Sequence, residues 1–328
     1  MRILLICGSP NQTTMMHEIG SHLGQHDCFY TPYYYSDGVL RWLDRAGLLK
    51  YTVLGGVLRR LTAQYLEQHR LPVDERGVRG GYDLVLTCSD LVVPRNIRGK
   101  PLVLVQEGMT DPEDVNYRVV RALGLPRWLA STAATGLSLA YDRFCVASDG
   151  YRDHFIAKGV PARRLVVTGI PNFDNCRAFY DNDFPHRGYV LVATSDTRET
   201  FKVDDRRKFL ARVRELARGR PVVFKLHPNE RVERSSREIR AAFPDAPIYT
   251  QGNVNHMIAN CDVLVTQYST VVYVGLALGK ECHSYFAMDQ LRRLLPLQNG
   301  GASARNIARV SEELLAQREA EALWRRAS

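Results

Sequence analysis

Short apolar runs alternate with longer amphipathic segments along the whole chain. The first half has five apolar runs that are typical of strands, at 2–7, 83–88, 102–106, 143–147 and 165–168. Segments with helical spacing of apolar residues lie between these runs, at 14–23, 57–69, 114–123 and 151–158. Runs this apolar are typical of parallel strands that helices cover on both faces. The pattern therefore predicts βαβ units around a parallel sheet.

The alternation stops over 171–187, which is polar and rich in turn residues and so predicts a linker. Beyond it, a second set of apolar runs predicts strands at 189–194, 221–226, 247–249, 263–266 and 281–285. Helices are predicted at 204–218, 235–243, 255–260, 271–278 and 304–324. We therefore predict an α/β protein with two Rossmann-like αβα domains, 1–170 and 171–328, whose last helix crosses back onto the first domain.

Length and charge narrow the class of protein. The 328 residues suit two domains, and 44 Lys+Arg against 35 Asp+Glu leave a net charge of +9. Such a charge favours anionic partners, among them nucleotide phosphates and acidic lipid surfaces. No nucleic-acid-binding motif is present, so we expect no nucleic-acid partner. The seven scattered cysteines show no CxxC spacing and predict neither a disulfide framework nor a zinc site.

The sequence gives no indication of a signal peptide or of a membrane-spanning segment. The first apolar run is too short for a signal peptide, and no run approaches the ~18 apolar residues that span a bilayer. These features predict a cytoplasmic protein. The terminal helix ends in Trp-Arg-Arg, which fits a packing helix or, alternatively, a helix lying on the inner-membrane surface.

The segment FKLHPNE, at 224–230, places His227 directly after a predicted strand. Ligands of open α/β sheets bind at this carboxyl edge, where a histidine can contact a phosphate or carry a proton. Asn229 and Glu230 can cap the next helix. The alternative is a turn histidine that bonds only to the backbone.

A second candidate lies in the segment 260–280. Its predicted strand VLVT leads into four polar residues before a helix: Gln267, Tyr268, Ser269 and Thr270. Ser269 is predicted to be the N-cap of that helix, and the free N–H groups beyond it would form an anion site. A plain cap that serves only the helix is the alternative.

The loop after the strand at 189–194 holds Thr194 and Arg198. A guanidinium binds phosphate through two parallel hydrogen bonds, which makes Arg198 a candidate phosphate ligand. The alternative is a surface arginine paired with Glu199 or Asp196.

Together, HPNE after a strand, the segment CDVLVTQYST, and VVTGIPNFD at 166–174 resemble the nucleotide-binding domain of GT-B-fold enzymes. The most similar group contains CDP-glycerol glycerophosphotransferases, capsule-polysaccharide transferases and non-hydrolysing UDP-N-acetylglucosamine 2-epimerases. The resemblance covers about 165–285. It implies two domains facing across a cleft, with the donor held mainly by the second.

The resemblance also implies roles for single residues. His227, Ser269 and Thr270 match positions that hold the donor's phosphates, and the neighbouring candidates join them in the donor site: Asn229, Glu230, Gln267, Tyr268, Thr194 and Arg198. The glycerophosphotransferases usually have Asp-Tyr-Ser-Ser where this chain has Gln-Tyr-Ser-Thr. The epimerases have Ser-Gly-Gly at this loop and an acidic residue beyond it, which weakens the epimerase interpretation.

Candidate catalytic carboxylates lie in the first half. Glu107 follows the strand PLVLV on a glycine-containing turn, which suits the general base of an inverting transferase. Asp111 is the second choice, and helix capping is the alternative role. Gly8 and Ser9 follow the first strand and are placed on the acceptor side. Tyr33, from the aromatic run FYTPYYY, is placed there too, with burial as its alternative.

These features predict a glycosyltransferase, or a phosphopolyol transferase, that acts in bacterial surface polysaccharide biosynthesis. It would move a sugar from a nucleotide-diphosphate or CMP donor to a glycan or lipid-linked acceptor, with no metal and no cofactor. Contact with the inner-membrane surface is an additional partner. The alternatives are an enzyme similar to the UDP-N-acetylglucosamine 2-epimerases and a non-catalytic sugar-nucleotide-binding protein.

Overall fold

The computed structural model describes residues 1–36, 38–46, 56–198 and 204–327. They divide into two compact units. The first unit combines Met1–Asp174 with Asn299–Ser328, and the second is Asn175–Gln298. Each unit is an α/β domain built on one parallel sheet, as the apolar pattern predicts.

Six parallel strands form the sheet of the first unit. They are β1 (Arg2–Cys7), β2 (Asp27–Pro32), β3 (Leu84–Thr87), β4 (Leu102–Val105), β5 (Arg143–Val146) and β6 (Leu165–Val167). Their order in the sheet is β2-β1-β3-β4-β5-β6. The helices along this part of the chain are α1 (Pro10–Ser21), α2 (Gly38–Arg45), α3 (Gly56–Gln68), α4 (Val115–Ala122) and α5 (Asp149–Ala157).

The central strands of this sheet are buried on both faces. Leu4, Leu86 and Leu104 have no exposed surface, and each lies on a strand whose described residues are almost all apolar. This burial explains why the strands read as continuous apolar runs and not as alternating patterns. Helices begin where polar side chains cap them: Ser9 caps α1 and Ser148 caps α5.

Five parallel strands form the sheet of the second unit. They are β7 (Val190–Ala193), β8 (Val222–Lys225), β9 (Ile248–Tyr249), β10 (Val263–Thr266) and β11 (Glu281–His283), in the order β11-β10-β7-β8-β9. The helices are α6 (Arg206–Ala217), α7 (Val232–Ala242), α8 (Val254–Asn260), α9 (Val272–Ala277) and α10 (Met288–Leu294). Phe209 and Val213 of α6 and Ile239 of α7 pack against Phe224 of β8 in its core.

The last helix, α11 (Ser303–Ala327), belongs to the first unit, where it packs against α1. Asp174, the last residue of the segment Met1–Asp174, is bonded to the chain at the start of α11. Its carbonyl accepts from the Asn299 N–H at 2.9 Å, and its Oδ2 accepts from the Ser303 N–H at 2.9 Å. Gly169 has φ +74°, and a Cβ there would lie 2.3 Å from Ser303 Oγ. A glycine is therefore required at this approach.

The predicted linker is not featureless, since it contains two short 3-10 helices, Pro171–Phe173 and Cys176–Tyr180. No helix within the described ranges combines the length and the apolar character needed to cross a membrane.

Gly275 of α9 packs directly on the sheet of the second unit. A Cβ at this position would lie 2.7 Å from Cys282 Sγ and 2.8 Å from Leu264 Cδ2. We expect Gly275→Ala to lower the free energy of unfolding by about 1–3 kcal/mol, because the added methyl overpacks the core. Urea denaturation measures this, with Gly24→Ala as the control, since a Cβ at Gly24 meets only Ser21 O at 4.0 Å. Equal losses in both variants would contradict overpacking.

Candidate functional site

Three loops of the second unit meet at the carboxyl edge of its sheet. β7 lies between β8 and β10 in the sheet, so the loops that follow these three strands are neighbours. Thr194 follows β7, His227 comes soon after β8, and Gln267 follows β10. The predicted donor residues therefore converge on one edge, although they are far apart in the chain.

Glu230 is the buried centre of this edge. Its Oε2 accepts from the backbone N–H of His227 at 2.9 Å and from the Thr194 hydroxyl. Its Oε1 accepts from the Arg206 guanidinium at 2.8 Å and from the Ser235 hydroxyl at 3.1 Å. The carboxylate thus joins the loops after β7 and β8 to α6 and α7, and it fixes the backbone of His227.

The imidazole of His227 is partly accessible, with 35% of its side chain exposed. Its Nδ1 accepts from the Asn229 N–H at 3.2 Å and lies 3.6 Å from Asp196 Oδ2, which in turn accepts from the Asn229 side chain at 2.9 Å. In a neutral imidazole whose Nδ1 accepts a hydrogen bond, the proton resides on Nε2. Nε2 is therefore a donor suited to a phosphate oxygen.

The loop after β10 is held by its backbone and by one buried side chain. Gln267 is fully buried, and its Nε2 donates to Asp204 Oδ1 at 2.6 Å. The Gln267 carbonyl accepts from the Ser284 hydroxyl at 2.8 Å. Ser195 of the β7 loop donates to the Tyr268 carbonyl at 3.3 Å, which joins the two loops. These bonds give Gln267 an internal position, whereas Tyr268 is 43% exposed.

The predicted N-cap role of Ser269 is wrong. The cap of α9 is Val271, and no side chain caps this helix. The Ser269 and Thr270 carbonyls instead accept from the N–H groups of Val272 (3.4 Å) and Tyr273 (3.0 Å), which form a turn ahead of the helix. In this turn, backbone carbonyls accept the hydrogen bonds that the hydroxyl of a capping serine would accept. Ser269 remains half-buried and Thr270 exposed at the sheet edge.

Arg198 is engaged in ion pairs within the second unit. Its guanidinium donates to both Glu238 oxygens, at 2.9 and 2.8 Å, and its Nε lies 3.3 Å from Asp204 Oδ2. Hydrogen bonding to Arg198 lowers the pKa of the Glu238 carboxyl below its usual range. The alternative partner Glu199 lies outside the described residues.

In the first unit, Glu107 and Ser9 meet after β4 and β1. The Ser9 hydroxyl donates to Glu107 Oε1 at 2.6 Å, and the Gln12 side-chain amide donates to Glu107 Oε2 at 2.5 Å. Ser9 Oγ also accepts from the Gln12 N–H at 3.2 Å as the cap of α1. Both oxygens of the half-buried Glu107 carboxylate are thereby oriented by the start of α1.

Gln12 is a site residue that sequence reasoning missed. It is 3% exposed, and its Oε1 lies where a Cβ on Gly8 would be, at 1.8 Å. The sequence does contain a pattern that indicates a role for the Gln12 side chain at the start of α1, because Ser9-Pro-Asn-Gln12 has the spacing of a capping box. Here the glutamine side chain bonds to Glu107. Gly8 itself leaves room for this side chain and accepts from the Thr62 hydroxyl at 2.8 Å.

Asp111 and Tyr33 make their hydrogen bonds away from Glu107. Asp111 exchanges two bonds with Thr132: its N–H donates to Thr132 Oγ1 at 2.8 Å, and its Oδ2 accepts from that hydroxyl at 2.7 Å. Tyr33 is 2% exposed and donates to the Val92 carbonyl at 2.6 Å. The structure thus brings Gly8, Ser9 and Glu107 together, places Asp111 on another segment and places Tyr33 in the core.

Two Rossmann-like units with parallel sheets, and with polar loops at the carboxyl edges, are the architecture of the GT-B fold. The chain has this GT-B-like fold, as the resemblance implies. Within the described ranges, no three His, Cys, Asp or Glu side chains are grouped so that they could hold a metal ion.

Comparison with solved structures supports the fold assignment. The chain is similar to the UDP-GlcNAc 2-epimerase from Neisseria meningitidis bound to UDP-GlcNAc, at 14% identity over 97% of this chain and 92% of that one, with a TM-score of 0.54. It is similar to the wall teichoic acid polymerase TagF, at 12% identity over 97% and 89%, with a TM-score of 0.53. Anabaena Alr3699/HepE in complex with UDP is 13% identical over 98% and 99%, with a TM-score of 0.52. At sequence identities this low, the structural similarity shows a shared fold alone. No protein-family model and no curated protein matches the sequence.

Proposed function

We propose that the chain is a metal-independent glycosyltransferase, or a phosphopolyol transferase, of bacterial surface polysaccharide biosynthesis. The observation that carries this proposal is the His227 ring, whose backbone is held by buried Glu230 and whose Nδ1 is occupied. A preorganised, partly exposed Nε2–H at a sheet edge suits the phosphate of a nucleotide-activated donor. UDP and UDP-GlcNAc, which two similar structures contain, support a uridine diphosphate sugar as the first donor to test.

In this proposal the second unit holds the donor. His227 Nε2–H, together with the Ser269 and Thr270 hydroxyls, would donate to the donor's phosphates. They would stabilise the charge that develops on the leaving group, which is a nucleoside diphosphate in sugar transfer and a nucleoside monophosphate in phosphopolyol transfer. Glu230 and Gln267, which are buried and bonded internally, would position these donors without touching the ligand.

The first unit would supply the general base. Glu107 would accept the proton of the acceptor hydroxyl as that oxygen attacks the donor's reactive carbon, or the phosphorus in a phosphopolyol transfer. Ser9 and Gln12 orient the carboxylate, so its proton-accepting lone pairs point in fixed directions. The acceptor would be a glycan or a lipid-linked glycan, and the net charge of +9 suits an anionic substrate at the inner-membrane surface.

An epimerase-like reaction is the second candidate function, because a UDP-GlcNAc 2-epimerase shares this fold. Such a reaction would exchange the C2 hydrogen of the sugar with solvent, whereas a transfer would leave it in place. A non-catalytic binding protein would bind the nucleotide and would turn over neither the donor nor the acceptor. Incorporation of deuterium at C2 during incubation with UDP-GlcNAc in deuterated water would therefore identify the epimerase-like reaction, and transfer to an added acceptor would separate a transferase from a binding protein.

Nucleotide binding is the first test of the proposal. Thermal unfolding with CDP, UDP, GDP, CMP, ADP or TDP should show stabilisation by one of them, about 2.7 kcal/mol at ~100 times its Kd. We expect His227→Ala to lose most of this shift and His283→Ala, a control in β11, to keep it. The donor site would be wrong if no nucleotide shifts the wild type, or if both variants respond alike.

A further inference from the structure

A cleft of about 530 Å³ opens in the first unit beside the residues that follow β2. A volume of this size is typical of small-molecule sites. Its lining includes four cationic side chains and two tyrosines: Arg59, Arg76, Arg95, Lys100, Tyr34 and Tyr35. We call the space between these six residues the basic cleft. Among the residues that the structure describes, no aspartate or glutamate lines it.

Three of the four cations have no anionic partner in the protein. The side chains of Arg76, Arg95 and Lys100 are exposed, and they form no ion pair or hydrogen bond with any residue in the described ranges. Other arginines of the first unit are paired, for example Arg318 with Asp142. Like charges held around one opening raise the local positive potential and so concentrate anions there.

The carboxylates that adjoin the lining residues in the chain do not neutralise the basic cleft. Asp74 is 3% exposed, and its carboxylate accepts two hydrogen bonds within the unit. Asp83 accepts from a backbone N–H of β1 at 2.8 Å. Glu75 is exposed but forms no ion pair with Arg76 next to it, and Asp37 lies outside the described residues. Four cations of the cleft therefore face one exposed carboxylate in the described chain.

The backbone that carries Arg76 is fixed before any ligand binds. Arg76 has φ +60°, a left-handed conformation that is costly for a residue other than glycine and needs support from its surroundings. Its N–H donates to Thr31 Oγ1 at 2.8 Å, and its carbonyl accepts from the Asn96 side chain at 2.9 Å. The hydroxyl of buried Tyr34 donates to Asn96 Oδ1 at 3.1 Å. These bonds tie the segments of Arg76 and Arg95 to the end of β2.

Helix α3 connects the basic cleft to the Glu107 carboxylate. Arg59 precedes Thr62 by three residues, so the two share one face of α3, about 4.5 Å apart along its axis. The Thr62 hydroxyl donates to the Gly8 carbonyl at 2.8 Å. The next residue, Ser9, donates to Glu107 Oε1 at 2.6 Å. The basic cleft and Glu107 are therefore neighbouring sites of the first unit.

We propose that the basic cleft binds the anionic group of the acceptor, a phosphate or a carboxylate carried by a sugar, and so selects acidic glycans. Arg76 and Arg95 would donate to the oxyanion, and Tyr35 would pack against the sugar ring. Anchoring the anion in this way would leave a hydroxyl of the same glycan to reach Glu107. The role in acceptor selection rests on the proposed function. The binding of an acidic sugar does not.

Calorimetric titration of the full chain with three sugars tests the proposal. The probes are glucose 6-phosphate, glucuronate and, as the neutral control, glucose. We expect at least one acidic sugar to bind with a Kd of about 1 mM or below, and glucose to bind at least about tenfold more weakly. The tighter of the two acidic sugars identifies phosphate or carboxylate as the preferred group. Arg76→Gln/Arg95→Gln should weaken its binding at least about tenfold, because two charge-assisted hydrogen bonds are lost.

Arg118→Gln/Arg305→Gln is the matched control. It removes the same charge from exposed positions of the first unit that do not line the cleft, and we expect it to keep the wild-type affinity. His227→Ala should also bind the acidic sugar as the wild type does, because the donor site lies in the other unit. Conversely, the nucleotide-induced thermal shift should be unchanged in Arg76→Gln/Arg95→Gln.

Three results would overturn the proposal. The first is a Kd above about 1 mM for both acidic sugars. The second is an equal loss of affinity in Arg118→Gln/Arg305→Gln, which would assign the effect to net charge. The third is loss of binding in His227→Ala with retention in Arg76→Gln/Arg95→Gln, which would place the anion in the donor site. Cleft-dependent binding of an acidic sugar in a chain that no nucleotide stabilises would confirm the anion site and remove only its role in acceptor selection.

Discussion

Replacing Glu107 by glutamine should lower kcat for transfer by about 10²–10⁴-fold, the usual contribution of a positioned general base. Glutamine preserves the size of the side chain and can still bond to Ser9 and Gln12, but it cannot accept the acceptor's proton. The nucleotide-induced thermal shift should stay at its wild-type value, since the donor candidates belong to the other unit. Initial rates with the donor that the binding panel identifies provide the measurement.

Asp111→Asn is the matched control for this experiment. Asp111 is bonded to Thr132 and not to Ser9 or Gln12, so we expect its replacement to lower kcat less than about tenfold. A large loss in Asp111→Asn with a small one in Glu107→Gln would transfer the role of base to Asp111. A normal rate in both variants would exclude both carboxylates as the base.

Ten of the eleven sheet strands could be predicted from the sequence because a short apolar run marks each of them, whereas β2, which begins Asp-Cys and ends Thr-Pro, is not among the predicted strands. β1 and β10 have the predicted bounds, since both are apolar runs closed by turn residues. Most other predicted elements differ by one to a few residues at their ends, where caps decide the boundary, and the short helices α2 and α10 are not among the predicted elements. Helix α5, for example, begins at Asp149 because Ser148 accepts from the Tyr151 N–H. Such local capping is weakly encoded compared with burial on both faces.

The contacts within the site could not be predicted, because they join distant parts of the chain. The sequence places Ser9 and Glu107 each after a strand, but only the sheet order brings the two together. In the motif HPNE, the position of Glu230 is typical of a residue that caps the following helix. Its buried partner, Arg206, lies on a basic helix that is typical of a solvated face. Long-range ion pairs of this kind leave no local pattern.

The Ser269 prediction failed for a different reason. A serine before a helix usually caps it, and this is the strongest local signal at a helix start. Here Ser269 and Thr270 form a backbone-bonded turn, and α9 begins only at Val272. Position within the loop, and not residue type, therefore decides which group satisfies the first helical N–H groups.

Replacing Glu230 by alanine should lower the free energy of unfolding of the second unit by about 3–5 kcal/mol. The side chain of Glu230 has no exposed surface and that of Arg206 has 5%, so the variant buries a guanidinium that has lost one of its carboxylates. It also removes the acceptor of the Ser235 hydroxyl and leaves the His227 N–H with only the Thr194 hydroxyl, at 3.3 Å. Because Asp204 still lies 3.3 Å from Arg206, the loss should fall toward the lower end of this range.

Urea denaturation followed by far-ultraviolet circular dichroism measures this loss. The control is Glu233→Ala, at an exposed position in the first turn of α7. We expect the control to change the free energy of unfolding by less than about 0.5 kcal/mol. Glu230→Gln, which keeps the shape and one acceptor oxygen, should fall between the two. A loss below about 1 kcal/mol in Glu230→Ala would mean that the loops after β7 and β8 hold their positions without this carboxylate. In that case the orientation of His227 would rest on Asn229, Asp196 and the Thr194 hydroxyl, which accepts from the His227 N–H at 3.3 Å.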